Sequence, residues 1–148
     1  MQSLLLIFIS FVLGPLLALA SPQTAFEKCR ENFIRDTEKQ NESLEARYQT
    51  SIEKSNRAFV LKAQSVSPAK SQKLVILLHG FMGSPDEMRN LGTQLQRRGY
   101  NVYSALIPGF GADADVANRF THEQWSPWIT REVNRAKPCF KEIHMAGF

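Results

Sequence analysis

The chain has 148 residues, of which 43% are hydrophobic, 22% charged and 10% aromatic, with a formal net charge of +4. Those fractions exclude a disordered tail, a collagen-like repeat and a disulfide-dense scaffold, and the length bounds the chain to one domain of about average size. The positive excess is spread evenly: residues 21–70 hold nine Lys/Arg against seven Asp/Glu, and residues 71–148 hold nine against seven again, so no nucleic-acid partner is expected.

Residues 1–20 carry no ionisable side chain. Residues 4–13 form an apolar core of signal-peptide length, Gly14-Pro15 breaks it, and Ala18-Leu19-Ala20 sets small residues where a signal peptidase reads. Pro15 disturbs a continuous membrane helix, and the stretch is short for spanning a bilayer. The pattern departs from the usual one in having no Lys or Arg before the apolar run. The expectation is a cleaved signal peptide over residues 1–20 and an exported protein, periplasmic or secreted, with no stable membrane span after cleavage. The alternative is an anchor formed by an uncleaved N-terminal segment. Export permits disulfides. Cys29 and Cys139 are an even count compatible with one bridge, or with two small buried apolar side chains.

Residues 21–57 read as a charged helical lead-in. Phe26, Cys29 and Phe33 fall at helical spacing, and Glu27 and Glu31 are placed to pair with Arg30 and Arg35. This pattern predicts a helix that docks through a thin apolar stripe and turns its alternating charges to solvent. Residues 58–61 make a short strand candidate, and residues 65–72 a turn or loop.

From Lys73 the pattern sharpens. Leu74-Val75-Ile76-Leu77-Leu78 is a short apolar run rich in Val and Ile, the signature of a strand buried on both faces. The glycine-punctuated loop His79-Gly80-Phe81-Met82-Gly83 follows. Ser84-Pro85-Asp86-Glu87 then reads as a capping box opening a helix, with Met88, Leu91 and Leu95 as its apolar face and Gly99 as its left-handed stop. Residues 100–107 are the next strand, ended by Pro108-Gly109-Phe110-Gly111. Residues 112–120 read as an exposed loop. Thr121-His122-Glu123-Gln124 is a second capping box, for a helix running toward Lys137 with Trp125, Trp128, Ile129 and Val133 toward the sheet; Pro127 must sit early in it or kink it. Residues 142–146 are a third strand, running into Gly147-Phe148. Strands alternating with helices predict an α/β fold with a mostly parallel sheet. In such sheets ligands bind beyond the carboxyl ends of the strands, which here are the loop from His79 to Gly83, the turn from Pro108 to Gly111, and Gly147-Phe148.

These residues resemble the α/β-hydrolase family, in its small esterase, monoacylglycerol-lipase-like and serine-aminopeptidase-like branches. Leu77-Leu78-His79-Gly80-Phe81-Met82-Gly83 is similar to the strand and HG-x-x-G loop that supply part of the oxyanion hole. The helix from Pro85, the Arg97-Arg98-Gly99-Tyr100 turn and the Pro108-Gly109-Phe110-Gly111 turn follow in the family's order. The family often has Gly-His-Gly where this chain has Gly109-Phe110-Gly111. The resemblance runs over about residues 58–148 and implies the N-terminal, incomplete part of an α/β-hydrolase fold with flanking helices.

The family's nucleophile elbow is Gly-x-Ser-x-Gly, with the acid and histidine after it in the chain. Gly147 and Phe148 match its first two positions, and the motif occurs nowhere else in the 148 residues. His79, His122 and His144 all precede it and do not match the catalytic histidine. The resemblance thus implies the N-terminal portion of an exported serine hydrolase acting on carboxylic esters by acyl-enzyme chemistry. The 148 residues alone would lack nucleophile, acid and histidine and be inactive. Within them, the Phe81 backbone N–H maps to an oxyanion donor, the Phe81 and Met82 side chains to an acyl pocket, and His79, Gly80 and Gly83 to support of the loop. The implied partner is a small acyl ester; no cofactor is implied, and neither His122 nor His144 has the spacing of a metal site. The alternative function is a non-catalytic α/β-hydrolase-like binding or interaction protein. A nucleotide-binding reading fails for want of G-x-G-x-x-G or G-x-x-x-x-G-K-[ST].

Overall fold

The structure, a computed structural model, describes residues 21–64 and 71–147. The expected signal peptide over residues 1–20, most of the expected loop at 65–72, and Phe148 lie outside the described residues.

Helix α1 (Pro22–Tyr48) starts where Ser21 accepts the Thr24 N–H and Pro22 takes a position whose N–H would have no helical partner. Its inner face is not the purely apolar stripe expected. Phe26, Phe33 and Tyr48 are buried, but so are Arg30, Thr37 and Asn41 at the same helical spacing. Thr37 and Asn41 are satisfied, whereas Arg30 is satisfied in part, its buried Nε having no partner among the described residues. Thr37 Oγ1 donates to Phe33 O, Asn41 exchanges two 3.0 Å hydrogen bonds with the Ala58 backbone, and Arg30 donates to Asn101 Oδ1 and Glu27. Glu27 pairs with Arg30 as expected. Glu31 does not pair with Arg35: it takes Lys62, which the segment after the first strand brings alongside, and Arg35 donates to Asn32.

Four strands follow the apolar runs: β1 (Phe59–Leu61), β2 (Lys73–Leu78), β3 (Asn101–Ala105) and β4 (Glu142–Gly147). They form one sheet in the order β1-β3-β2-β4; β2 is parallel to both β3 and β4, and β1 is antiparallel to β3. Side chains alternate across the pleat, so β2 serves two cores. Leu74 and Ile76 join the larger one with Tyr103, Phe33, Phe140 and Trp128, whereas Val75 and Leu77 join the smaller one with Met88 and Val102.

The smaller core lies under α2 (Arg89–Arg97), which a 3-10 turn (Pro85–Met88) precedes. Two expectations change here. Ser84 makes no side-chain cap, because in this 3-10 turn the Glu87 N–H bonds the Ser84 backbone carbonyl, and the Glu87 carboxylate that would complete the box reaches back to the Gly80 N–H. Leu91 is exposed, because the helix presents Gly92 to the sheet, close against Leu61, Val102 and Leu77. Gly99, at φ +91°, ends the helix as the sequence suggested.

The expected loop 112–120 contains a short helix, α3 (Ala114–Ala117), capped by Asp113 and anchored by buried Val116. Helix α4 (His122–Ala136) opens on the Thr121/Gln124 capping box, with Pro127 inside the helix, and buries Trp128, Glu132 and Ala136. Cys29 of α1 and Cys139, after α4, are bonded to each other across 110 residues of sequence.

Candidate functional site

The parallel strands β2, β3 and β4 deliver three segments to one edge of the sheet: residues 79–83, residues 106–111 and Gly147. Residues 80–83 form a turn in which the Gly83 N–H bonds Gly80 O at 3.0 Å. Met82, its third residue, has φ +60°. A positive φ at that position marks a type II turn, a place glycine usually fills. Methionine there is held in a conformation that costs about 1–2 kcal/mol. Such strain persists where surrounding contacts impose it.

The imposing contacts are visible. Glu87 Oε2 accepts the Gly80 N–H at 3.3 Å. A Cβ on Gly83 would overlap that carboxylate, so Gly83 serves close approach rather than an unusual φ. With the Gly80 and Gly83 amides engaged, the Phe81 N–H is left with no hydrogen-bond partner among the described residues. The Phe81 and Met82 side chains are 82% and 57% exposed, so the described residues do not enclose them as an acyl pocket. A polar cleft of about 190 Å³ opens on the loop's flank, between Met82, Ser84, Glu87 and Gly111.

His79 is buried and ties this loop to the next one. Its Nε2 accepts the Ile107 N–H at 3.2 Å, which puts the ring proton on Nδ1, 2.9 Å from Gly80 O. Burial pulls its pKa below the ordinary histidine value, against the opposing pull of the Gly80 carbonyl and the Glu87 carboxylate. Phe110 packs edge-on against both His79 and Phe81 and lies beside Trp125, whose Nε1–H donates to Pro108 O. Where the resembled family often carries a histidine, this chain has an aromatic hinge between the two loops. From α1, the Tyr48 hydroxyl accepts the Gly109 N–H at 2.8 Å.

Gly147 ends β4 opposite Leu78, and a Cβ on it would come within 2.9 Å of both Leu78 Cβ and Leu78 O. Only glycine allows β4 to pass β2 this closely. Phe148 lies outside the described residues.

The roles of Glu87 and Tyr48 escaped the sequence reading. So did a buried cluster beneath the site, although an acid on the apolar face of α4 was a readable signal. Glu132 accepts from Tyr103 Oη and Gln40 Nε2, both at 2.9 Å, and from Arg135 at 2.8 Å. Burial and the adjacent Glu132 push the Tyr103 hydroxyl far above its ordinary pKa. His122 and His144 are exposed beside Glu123 and Glu142. Among the described residues, no group of three or more His, Cys, Asp or Glu could hold a metal, and no helix is long and apolar enough to cross a membrane.

No protein-family model matches the sequence, and no curated protein is significantly similar to it. The structure is similar to a solved chain from the work on LipS and LipT, two metagenome-derived lipolytic enzymes. The TM-score is 0.55 at 23% identity, and the match covers 64% of this chain and 36% of that one. At that identity the likeness is one of fold: an α/β unit with a mostly parallel sheet and flanking helices, resembling part of a lipase/esterase fold.

Proposed function

We infer that residues 58–148 form the oxyanion-binding part of a serine hydrolase acting on carboxylic esters. In this reading a Gly-x-Ser-x-Gly elbow begins at Gly147, and the serine, acid and histidine belong to chain that follows Phe148. The observation that supports it most is the unengaged Phe81 N–H, on a turn braced by Glu87 and His79, one strand away from Gly147. When a serine attacks an acyl carbon, the carbonyl oxygen gains negative charge. A backbone N–H already fixed in place stabilises that charge without reorganising, by about 3–4 kcal/mol per donor. The bonds at Gly80 and Gly83 hold the turn and leave its Phe81 amide for this role. The exposed Phe81 and Met82 side chains offer apolar surface to an acyl chain. Export behind a cleaved segment 1–20 fits the Cys29–Cys139 bond, since such bonds persist in oxidising compartments.

The test is to express the chain together with the coding sequence downstream of codon 148. A Ser-x-Gly directly after Phe148 is expected, with hydrolysis of a 4-nitrophenyl ester that a serine-directed inhibitor blocks. Residues 1–148 alone should hydrolyse none. An extended protein that carries the elbow yet cleaves no ester, or inhibitor-sensitive cleavage by residues 1–148 alone, would overturn the reading.

A further inference from the structure

The cleft between α1 and α4 holds groups that the strand-end chemistry does not use. Its volume is about 240 Å³. Leu44, Leu106 and Trp128 give it apolar lining, and Arg47 of α1 and Arg131 of α4 stand in its wall. Neither arginine makes an ion pair or hydrogen bond among the described residues. Their own helices supply no carboxylate: three and four residues before Arg47 are Leu44 and Ser43, and around Arg131 the same positions hold Trp128, Pro127, Asn134 and Arg135. The one acid in the lining, Glu132, is already neutralised by Arg135 and bonded by Tyr103 and Gln40. The cleft is therefore lined by two arginines with no charge partner among the described residues, beside hydrocarbon and indole surface.

We propose that this cleft binds a small alkyl monocarboxylate, its carboxylate on Arg47 and Arg131 and its chain against Leu44, Leu106 and Trp128. A guanidinium presents parallel N–H donors that match the two oxygens of a carboxylate. At the ~30 Å³ that a water molecule occupies in the liquid, the volume admits about eight non-hydrogen atoms, the size of hexanoate. An inorganic anion would leave the apolar wall wet, and an alcohol would leave the arginines unpaired. The site does not depend on Phe81 or on any nucleophile, so it stands or falls apart from the hydrolase reading.

Isothermal titration of hexanoate into the full, disulfide-bonded chain at pH 7 tests it, with hexan-1-ol and inorganic phosphate as probes of each half of the recognition. The expected result is saturable one-site binding of hexanoate, at least tenfold weaker for either control probe. Arg47→Gln and Arg131→Gln should each weaken hexanoate at least fivefold; both residues are exposed and have no partner among the described residues, so the fold should hold, as far-UV circular dichroism would verify. Arg97→Gln, on α2, should leave binding unchanged. Absence of saturable binding, binding of hexan-1-ol or phosphate within twofold of hexanoate, or full hexanoate binding by the Arg47→Gln/Arg131→Gln double variant would overturn the proposal.

Discussion

Beneath α1 and α4, the Glu132 carboxylate receives donors from Gln40, Tyr103 and Arg135, and a disulfide ties the two helical regions together. At the carboxyl ends of the parallel strands, the Phe81 amide has no partner among the described residues, Met82 sits at positive φ, and two large apolar side chains face solvent. The first region satisfies its buried carboxylate with three donors and so gains rigidity. The second leaves groups unsatisfied and so keeps them available. The braced cluster and the exposed loop are thus separate parts of the molecule, with Tyr48 of α1 as a strut to the strand-end turn at Gly109.

The largest effect expected from breaking the first region comes from the Cys29–Cys139 bond. Closing a loop of 110 residues restricts the unfolded chain, so the Cys29→Ala/Cys139→Ala variant should lose about 4 kcal/mol in urea unfolding. A loss below ~1 kcal/mol would mean that α1 is held by its side-chain contacts alone. Next comes Glu132→Gln, which leaves the largely buried Arg135 without its counter-charge. Removing one partner of such a pair costs about 3 kcal/mol, readable as a lower urea midpoint at unchanged slope. If the loss were only that of an exposed ion pair, the cluster would have to be wetter than the structure has it.

His79 carries the comparison into pH. Its folded-state pKa lies below the unfolded value near 6.5, so the unfolded chain binds the extra proton first. Its contribution to stability is therefore complete above about pH 6.5 and is lost as pH falls from there through the folded value, as the imidazolium can no longer accept the Ile107 N–H. Urea midpoints measured from pH 7.5 to 5 should fall for the parent chain. His79→Gln should flatten that part of the profile, and an unchanged slope would remove His79 as its source. The smallest effect is a gain: Met82→Gly relieves the left-handed strain but adds unfolded-state entropy, so stability should rise by about 0.5–1 kcal/mol. A loss would show that the Met82 side chain, not its backbone, holds the turn.

The sheet was legible because its strands are apolar runs ended by Gly, Pro or polar residues, and α4 because its capping box is local. The polar face of α1 was not legible. Asn41 is satisfied by Ala58, and Arg30 donates to Asn101, partners that only the folded chain brings together. Leu91 misled because a periodicity rule counts apolar side chains, whereas this helix turns the flat Gly92 to the sheet. At the candidate site, the loop from His79 to Gly83 fell where glycine spacing and strand ends put it. The brace from Glu87 did not, because Ser-x-x-Glu reads the same whether the carboxylate caps its helix or reaches back to Gly80. Nothing in the residue type announced the positive φ of Met82, since methionine has no preference for it.

The central claim, that the Phe81 N–H stabilises an oxyanion, can be tested by removing that hydrogen and little else. Phe81 is the second residue of a type II turn, where proline fits. In the protein extended past Phe148, Phe81→Pro should retain the turn and lower kcat for ester hydrolysis by about 10²–10³-fold with KM little changed, while Phe81→Ala, which keeps the N–H, should retain most of kcat. Equal kcat values for the proline and alanine variants would contradict the assignment.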